Sequence, residues 1–325
     1  MLSEIKKIRV ILVTGFLGAG KTTFINELIK KHQHLKLALV ENEFGEKSID
    51  QDLIVGMRAD NIFDLSNGCI CCTISNEFSL TLLDLADKAG ELDFLLIETT
   101  GIADLANVIK PFFDDDDLKE RFQLDGSICL VDAQNATRQL TATEQQMQLI
   151  LSDLLLVNKV DEIDAKSLSI LERQLLAFNG SALIRQANYG VLADFSLEKF
   201  SEAVQGQIEQ KLARPVMFRM VESKKYSTFT HQFDGFINLD RFKYWFNYYA
   251  AINQREIYRI KGLLCAQNSP FKTIVQSVGG AVSYAEGSFL EPGEEPVNTL
   301  VFIGSDIDHE RVVHELMHYL DGKEV

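Results

Sequence analysis

The sequence predicts an α/β fold: a doubly wound, mostly parallel sheet with helices, followed by a second, smaller α+β domain. Three observations predict it. Between residue 8 and about residue 185, runs apolar on mostly consecutive positions recur at residues 8–14, 36–40, 94–97, 127–131 and 154–157. That is the pattern of strands buried on both faces. Helical patterns separate them, at residues 22–31, 78–89 and 165–176, and such alternation implies crossovers between parallel strands. The alternation then stops near residue 200.

The polar stretch 206–214, closed by Pro215, reads as a linker, so the chain divides into domains 1–212 and 213–325. Beyond it come a strand at 216–221, a helix at 239–252, strands near 257–264, 272–278, 281–284 and 299–303, and a final helix at 309–320. A length of 325 residues suits two domains.

Composition narrows the function. The net charge of −15 repels a phosphate backbone, and no local basic patch offsets it, so nucleic acid is not an expected partner. No apolar run reaches the roughly 18 residues of a membrane span, and Gly15 interrupts the apolar start too early for a secretory signal. An odd number of cysteines, five, does not suit a disulfide framework. Three crowd together at Cys69, Cys71 and Cys72, while Cys129 and Cys265 stand alone, which fits a reducing cytoplasm. The acidic run 114–117 reads as a solvated loop or a helix start after Pro111.

Residues Gly15, Phe16, Leu17, Gly18, Ala19, Gly20, Lys21 and Thr22 match the P-loop pattern G-x-x-x-x-G-K-[ST], with a buried strand before and a helix after. The glycines let the backbone wrap phosphate oxygens at a helix N-terminus, where negative charge is favoured. Lys21 is expected to reach the β- and γ-phosphates, and the Thr22 hydroxyl to complete a Mg²⁺ shell. Thr23 is either an α-phosphate contact or simply a helix-start residue.

Asn158-Lys159-Val160-Asp161 follows the last of these apolar runs. The Asp161 carboxylate can accept from both N1–H and the exocyclic amino group of guanine, a donor pattern adenine lacks. Asn158 can bond the other edge of the base, and the Lys159 stem can lie over its face. GTP is therefore the expected nucleotide and GTP hydrolysis the expected activity. Between the two motifs, Glu98-Thr99-Thr100-Gly101 ends another strand: Glu98 can hold Mg²⁺ through water, and the Gly101 amide can meet the γ-phosphate. No arginine stands in a fixed catalytic motif, so hydrolysis is expected to be slow without a partner.

Cys69, Cys71 and Cys72, preceded by Asn67-Gly68, can converge on one soft ion with a fourth position open; Zn²⁺ is the default occupant, and Co²⁺ or Cu⁺ suit the same ligands. Buried structural thiols are the alternative. Taken in order, GFLGAGKTT (15–23), ENEFG (41–45), NGCICCT (67–73), ETTG (98–101) and NKVD (158–161) resemble the CobW-type metallochaperone GTPases. Residues 242–245, 259–262 and 300–304 are similar to that family's C-terminal domain. The resemblance implies that the cysteines bind a transition metal under nucleotide control, that Glu41 and its neighbours form a switch segment, and that a client metalloprotein receives the metal; a carboxylate of that segment, Glu41 first, can also complete a metal site. An association between copies that changes with the nucleotide is also open. The competing function is a GTPase regulatory or assembly switch with structural or redox cysteines.

Two departures stand out. Where many members carry a histidine-rich stretch, residues 213–232 hold only His231, and Asn179-Gly180 stands where the family tends to have Asn-Pro, leaving the second guanine-side loop unassigned. Finally, His314-Glu315-Leu316-Met317-His318 satisfies H-E-x-x-H. A stripe of Val312, Val313, Leu316 and Leu320 would instead turn both histidines towards solvent, and only seven residues remain to supply the third ligand a zinc peptidase needs.

Overall fold

A computed structural model describes residues 6–42, 62–64, 75–88, 92–99, 104–136, 140–192, 195–213 and 226–320, to which every structural statement below refers. They fall into two compact units, the first running to residue 175 and including 182–204, the second made of 176–181 and the chain from 205 onward.

The first unit contains β1 (Ile8–Gly15), α1 (Lys21–Lys31), β2 (Leu37–Asn42), β3 (Ile62–Asp64), α2 (Ser75–Lys88), β4 (Phe94–Thr99), α3 (Leu105–Asp114), α4 (Asp116–Arg121), β5 (Phe122–Asp132), α5 (Thr143–Leu151), β6 (Leu154–Asn158), α6 (Ala165–Phe178), β7 (Leu183–Gln186) and α7 (Leu197–Ala213). Its seven strands form one sheet, ordered β3-β2-β4-β1-β5-β6-β7, parallel at every pairing. The chain works outward from β1 towards both edges, which is the doubly wound arrangement. Val10–Val13, Phe94–Ile97 and Leu154–Val157 are buried at every position. Strands shielded on both faces carry no polar alternation.

Within the acidic run, Asp114 ends α3 and residues 115–117 make the helix start. The Asp115 side chain accepts from the Asp117 and Leu118 amides, capping α4, and Asp116 and Asp117 occupy its first turn, where the helix end favours negative charge. The expected linker at 206–214 needs correction. Residues 206–213 continue α7, whose apolar stripe Leu197, Phe200 and Val204 is buried. The polar stretch is helix, not a break in the chain. The division between the two units falls inside this helix, after Val204.

The second unit contains β8 (Ser227–Asp234), α8 (Leu239–Ile252), β9 (Ile257–Cys265), β10 (Phe271–Val278), β11 (Ala281–Phe289), β12 (Val297–Gly304) and α9 (His309–Leu320). The strands pair antiparallel throughout, in the order β11-β10-β9-β12-β8. The strand expected at 216–221 lies outside the described residues, while β8 forms where no element was expected. Phe242, Trp245, Phe246 and Tyr249 of α8, with Val312 and Leu316 of α9, close over Ile260, Leu264, Leu300 and Phe302 of the sheet.

In α9, Val313 and Leu320 pack at the rim of that core, His314 is exposed and His318 half-buried. The two rings lie nearly parallel with centroids 6.1 Å apart. Glu315 is paired with Arg311 at 2.7 Å, so the helix is an amphipathic surface helix and the H-E-x-x-H match follows from its spacing. No helix among the described residues is long and apolar enough to cross a membrane.

Candidate nucleotide-binding site

The site lies at the carboxyl ends of the parallel strands, where register brings distant motifs level. Val13 pairs with Glu98, Gly15 with Leu130, Glu41 with Glu98, and Asp132 with Asn158. Gly15, Gly18 and Gly20 have φ of +136°, +78° and +97°, backbone that side-chain-bearing residues rarely adopt. At Gly15 a Cβ would also stand 2.5 Å from the Leu130 carbonyl oxygen.

Gly20 is the N-cap of α1. No side chain caps that helix start, and no acid occupies the first turn. The helix therefore presents uncapped N–H groups and the positive end of its dipole, flanked by Lys21, which suits a phosphate chain. The Lys21 ammonium lies 3.1 Å from the Gly15 carbonyl oxygen and 3.9 Å from Glu98 Oε1. Ala19 is fully buried under the loop. Thr22 is half-buried and Thr23 exposed.

Asn158 binds the parts together. Its Nδ2 donates to the Ala19 carbonyl at 2.9 Å, and its Oδ1 accepts from the Gly190 amide at 3.1 Å. The Asp161 amide donates to Asn188 Oδ1 at 3.2 Å, and the Asp161 side chain is exposed. The Asn158 amide thereby joins the backbones of two loops, and one N–H of Nδ2 remains beyond these two bonds. The loop after β7, residues 188–190, thus meets both ends of the Asn158–Asp161 segment. Asn179 itself is buried and accepts from the Ser181 hydroxyl at 2.7 Å.

Gly190 could have been suspected only as a lone glycine after a short, half-exposed strand. Its φ is +70°, and a Cβ there would meet the Phe24 backbone at 2.8 Å. Asp132, at the end of β5, was also missed. It is buried and receives the Lys159 ammonium on Oδ2 at 2.6 Å. Lys159 adopts left-handed backbone, φ 60° and ψ 37°, ahead of the 3₁₀ turn Val160–Glu162. Burial alone would raise the Asp132 pKa; the hydrogen bonds from Lys159 and Asn135, with the lysine charge, outweigh it and hold the group below the ordinary carboxylate range.

Glu98 is a nearly buried carboxylate at the end of β4, an oxygen donor suited to a hard cation beside the loop. Only the backbone of Glu41 is described, in β2; Cys69, Cys71, Cys72 and Gly101 lie outside the described residues. Among the described residues no group of three or more His, Cys, Asp or Glu side chains converges on a metal position. Cys129 and Cys265 are buried free thiols, and burial pushes the Cys129 pKa up to about 12, so it is held protonated.

Comparison with known proteins gives the same organisation. Residues 9–186 match the CobW/HypB/UreG nucleotide-binding domain, and residues 226–320 match the cobalamin synthesis protein cobW C-terminal domain. The chain is 33% identical over 313 residues to the zinc chaperone YjiA of Escherichia coli, covering 94% of this chain and 96% of that one. It is 26% identical to the zinc chaperone CobW of a Sinorhizobium species, over 94% and 95% of the two chains. The crystal structure of Zn(II)-bound YjiA GTPase from E. coli superposes with a TM-score of 0.66 at 29% identity, covering 96% of this chain and 99% of that one.

Proposed function

Because the chain belongs to the CobW/HypB/UreG family, we propose that it is a GTP-hydrolysing metallochaperone that takes up a transition metal, Zn²⁺ in the first instance, and hands it to a client metalloprotein. The observation that carries the nucleotide half is Asn158, whose amide joins the phosphate loop at Ala19 to the loop at Gly190. One buried side chain thereby sets phosphate and base recognition in a single frame.

Within that reading Gly15, Gly18, Ala19 and Gly20 present backbone to the phosphates. Lys21 neutralises them, Thr23 can add an α-phosphate contact, and Asp161 reads the guanine edge beside Lys159. Thr22 and Glu98 would hold Mg²⁺, which when bound offsets the phosphate charge. Glu41 and Gly101 belong to segments that respond to the γ-phosphate. With no arginine in a fixed catalytic motif of the sequence, hydrolysis by the chain alone is slow and a docked client accelerates it. The nucleotide domain spans 1–212 and a client-recognising domain 213–325.

The cargo site is Cys69, Cys71 and Cys72, three thiols suited to Zn²⁺, with Co²⁺ also accommodated. Near full-length similarity to a zinc chaperone supports it, and a reducing cytoplasm keeps such thiols available. GTP and GDP forms then differ in metal affinity, and this difference drives transfer.

The test is a competition titration of Zn²⁺ against the full chain loaded with GDP or with a non-hydrolysable GTP analogue. The two affinities should differ by about five- to a hundredfold, the usual range of such coupling. Identical affinities overturn the coupling. Replacing Cys69, Cys71 and Cys72 by serine should remove one metal equivalent while fold and nucleotide binding remain. A wild-type chain that takes up no metal leaves instead a GTPase switch with structural or redox cysteines.

A further inference from the structure

We propose that Asp132 is a positioning residue for base recognition: through one carboxylate oxygen it anchors the ammonium of Lys159, so that the lysine stem is held as a platform for the face of the guanine ring. The proposal rests on the GTP-binding reading above and adds to it a residue outside the phosphate-loop and N-K-x-D motifs.

The two oxygens of Asp132 are used differently. Oδ1 serves the residue's own turn, accepting from the Gln134 amide at 2.9 Å and the Asn135 amide at 3.1 Å. Oδ2 points to other work: it accepts from Lys159 Nζ at 2.6 Å and from Asn135 Nδ2 at 3.0 Å. Four donors fill the acceptor capacity of a carboxylate. The two turn amides need only Oδ1, which asparagine or serine would supply as well, while Oδ2 is shared between the Asn135 side chain and Lys159. The charge, and the cost of burying it with only 3% of the side chain exposed, is accounted for by the lysine.

Lys159 needs an anchor. Its left-handed backbone is uncommon for a lysine, and a free lysine side chain samples many rotamers that a stacking platform must not. The ion pair fixes its far end. The strand ends fix its near end: Asp132 pairs in register with Asn158, and the Ala133 amide donates to the Asn158 carbonyl at 3.0 Å. The lysine stem thus spans two fixed points, and its side chain remains 29% exposed.

Asp132→Asn separates the two oxygens. It keeps the Oδ1 acceptor for the turn amides and replaces Oδ2 by an NH₂ group that can accept neither from Lys159 nor from Asn135 Nδ2, two losses that the double variant separates. The experiment measures GDP, GTP and inosine diphosphate affinities, with steady-state KM and kcat for GTP, in full-length wild type, Asp132→Asn, Lys159→Met and the double variant. Each single variant should lose about tenfold or more in affinity. The loss should be equal for guanine and inosine nucleotides, because stacking does not depend on the exocyclic amino group, and should fall on KM rather than kcat. The double variant should lose no more than the worse single one.

The proposal is overturned if Asp132→Asn or Lys159→Met binds GDP like wild type. It is equally overturned if Asp132→Asn lowers affinity by the same factor with Lys159 already replaced, because the aspartate then acts only on its own turn. Should Asp132→Asn fail to fold, Lys159→Met decides alone. A wild-type chain that binds no guanine nucleotide fails the underlying reading, a result read separately from either variant.

Discussion

Asn158 donates through Nδ2 to the Ala19 carbonyl oxygen at 2.9 Å, across 139 residues of sequence. The Gly20 α-hydrogen faces the same amide so closely that a Cβ there would stand 2.5 Å from Nδ2. The phosphate loop is therefore braced by the asparagine at the end of β6. Replacing Asn158 by alanine leaves the Ala19 carbonyl and the Gly190 amide without their partner. Each buried group left unsatisfied costs about 1–3 kcal/mol, so a loss of about 2–4 kcal/mol is expected in urea unfolding without nucleotide. A variant as stable as wild type that merely bound GDP less tightly would show that the brace contributes nothing to the fold.

Glycine positions in the site should differ sharply in tolerance. At Gly18 the strain is conformational only, φ +78° with open space where a Cβ would stand, whereas at Gly190 the same substitution also drives a Cβ into the Phe24 backbone at 2.8 Å. Gly18→Ala should cost about 1–2 kcal/mol and Gly190→Ala clearly more, with α1 displaced. Thermal melts of the two variants check the order; equal melting shifts would contradict it.

Thiol reactivity should report the proposed cargo site cleanly. Of the five cysteines, Cys129 and Cys265 are buried, and burial raises the pKa of both. An aromatic disulfide reagent should modify three thiols in the native chain and all five in denaturant. Saturating Zn²⁺ should protect the native three. Rapid modification of Cys129 in the folded protein would show that the sheet opens at that strand.

Acid should weaken the chain through Asp132. A carboxylate whose folded pKa is depressed contributes stability that is fully present above its unfolded value, about 3.9, and is lost as pH falls through the folded value. The stability difference between wild type and Asp132→Asn should be largest near pH 6 and shrink towards pH 3. Urea midpoints across that range measure it. A difference independent of pH would mean that the carboxylate charge does not contribute.

The first unit was largely legible because its strands are buried on both faces, and short continuous apolar runs such as 94–97 and 154–157, set between helical patterns, suit little besides a parallel sheet. The phosphate loop was legible because a strand, three glycines and a helix occur together. Asp132 and Gly190 were not, since their roles depend on partners brought close only by strand register and by loop packing on Phe24. Asn158 was legible as a candidate from its motif, but only the fold shows its amide bonded to Ala19 and Gly190. β8 and β7 escaped because each is partly exposed and short on continuous apolar character. The misread linker is the reverse case, a polar helix end taken for loop.

Helix α7, unbroken from Leu197 to Ala213, bears on how the protein can be taken apart. A chain terminated at residue 206 would end inside a hydrogen-bonded helix and strip its last carbonyls of their donors. A chain ended after Ala213 keeps the helix whole, together with the buried contacts of Leu197, Phe200 and Val204. For the same reason a protease offered the native protein must first unwind α7 to cut at 206–213. The place to divide this chain is set by where a helix finishes, several residues beyond where its contacts change sides.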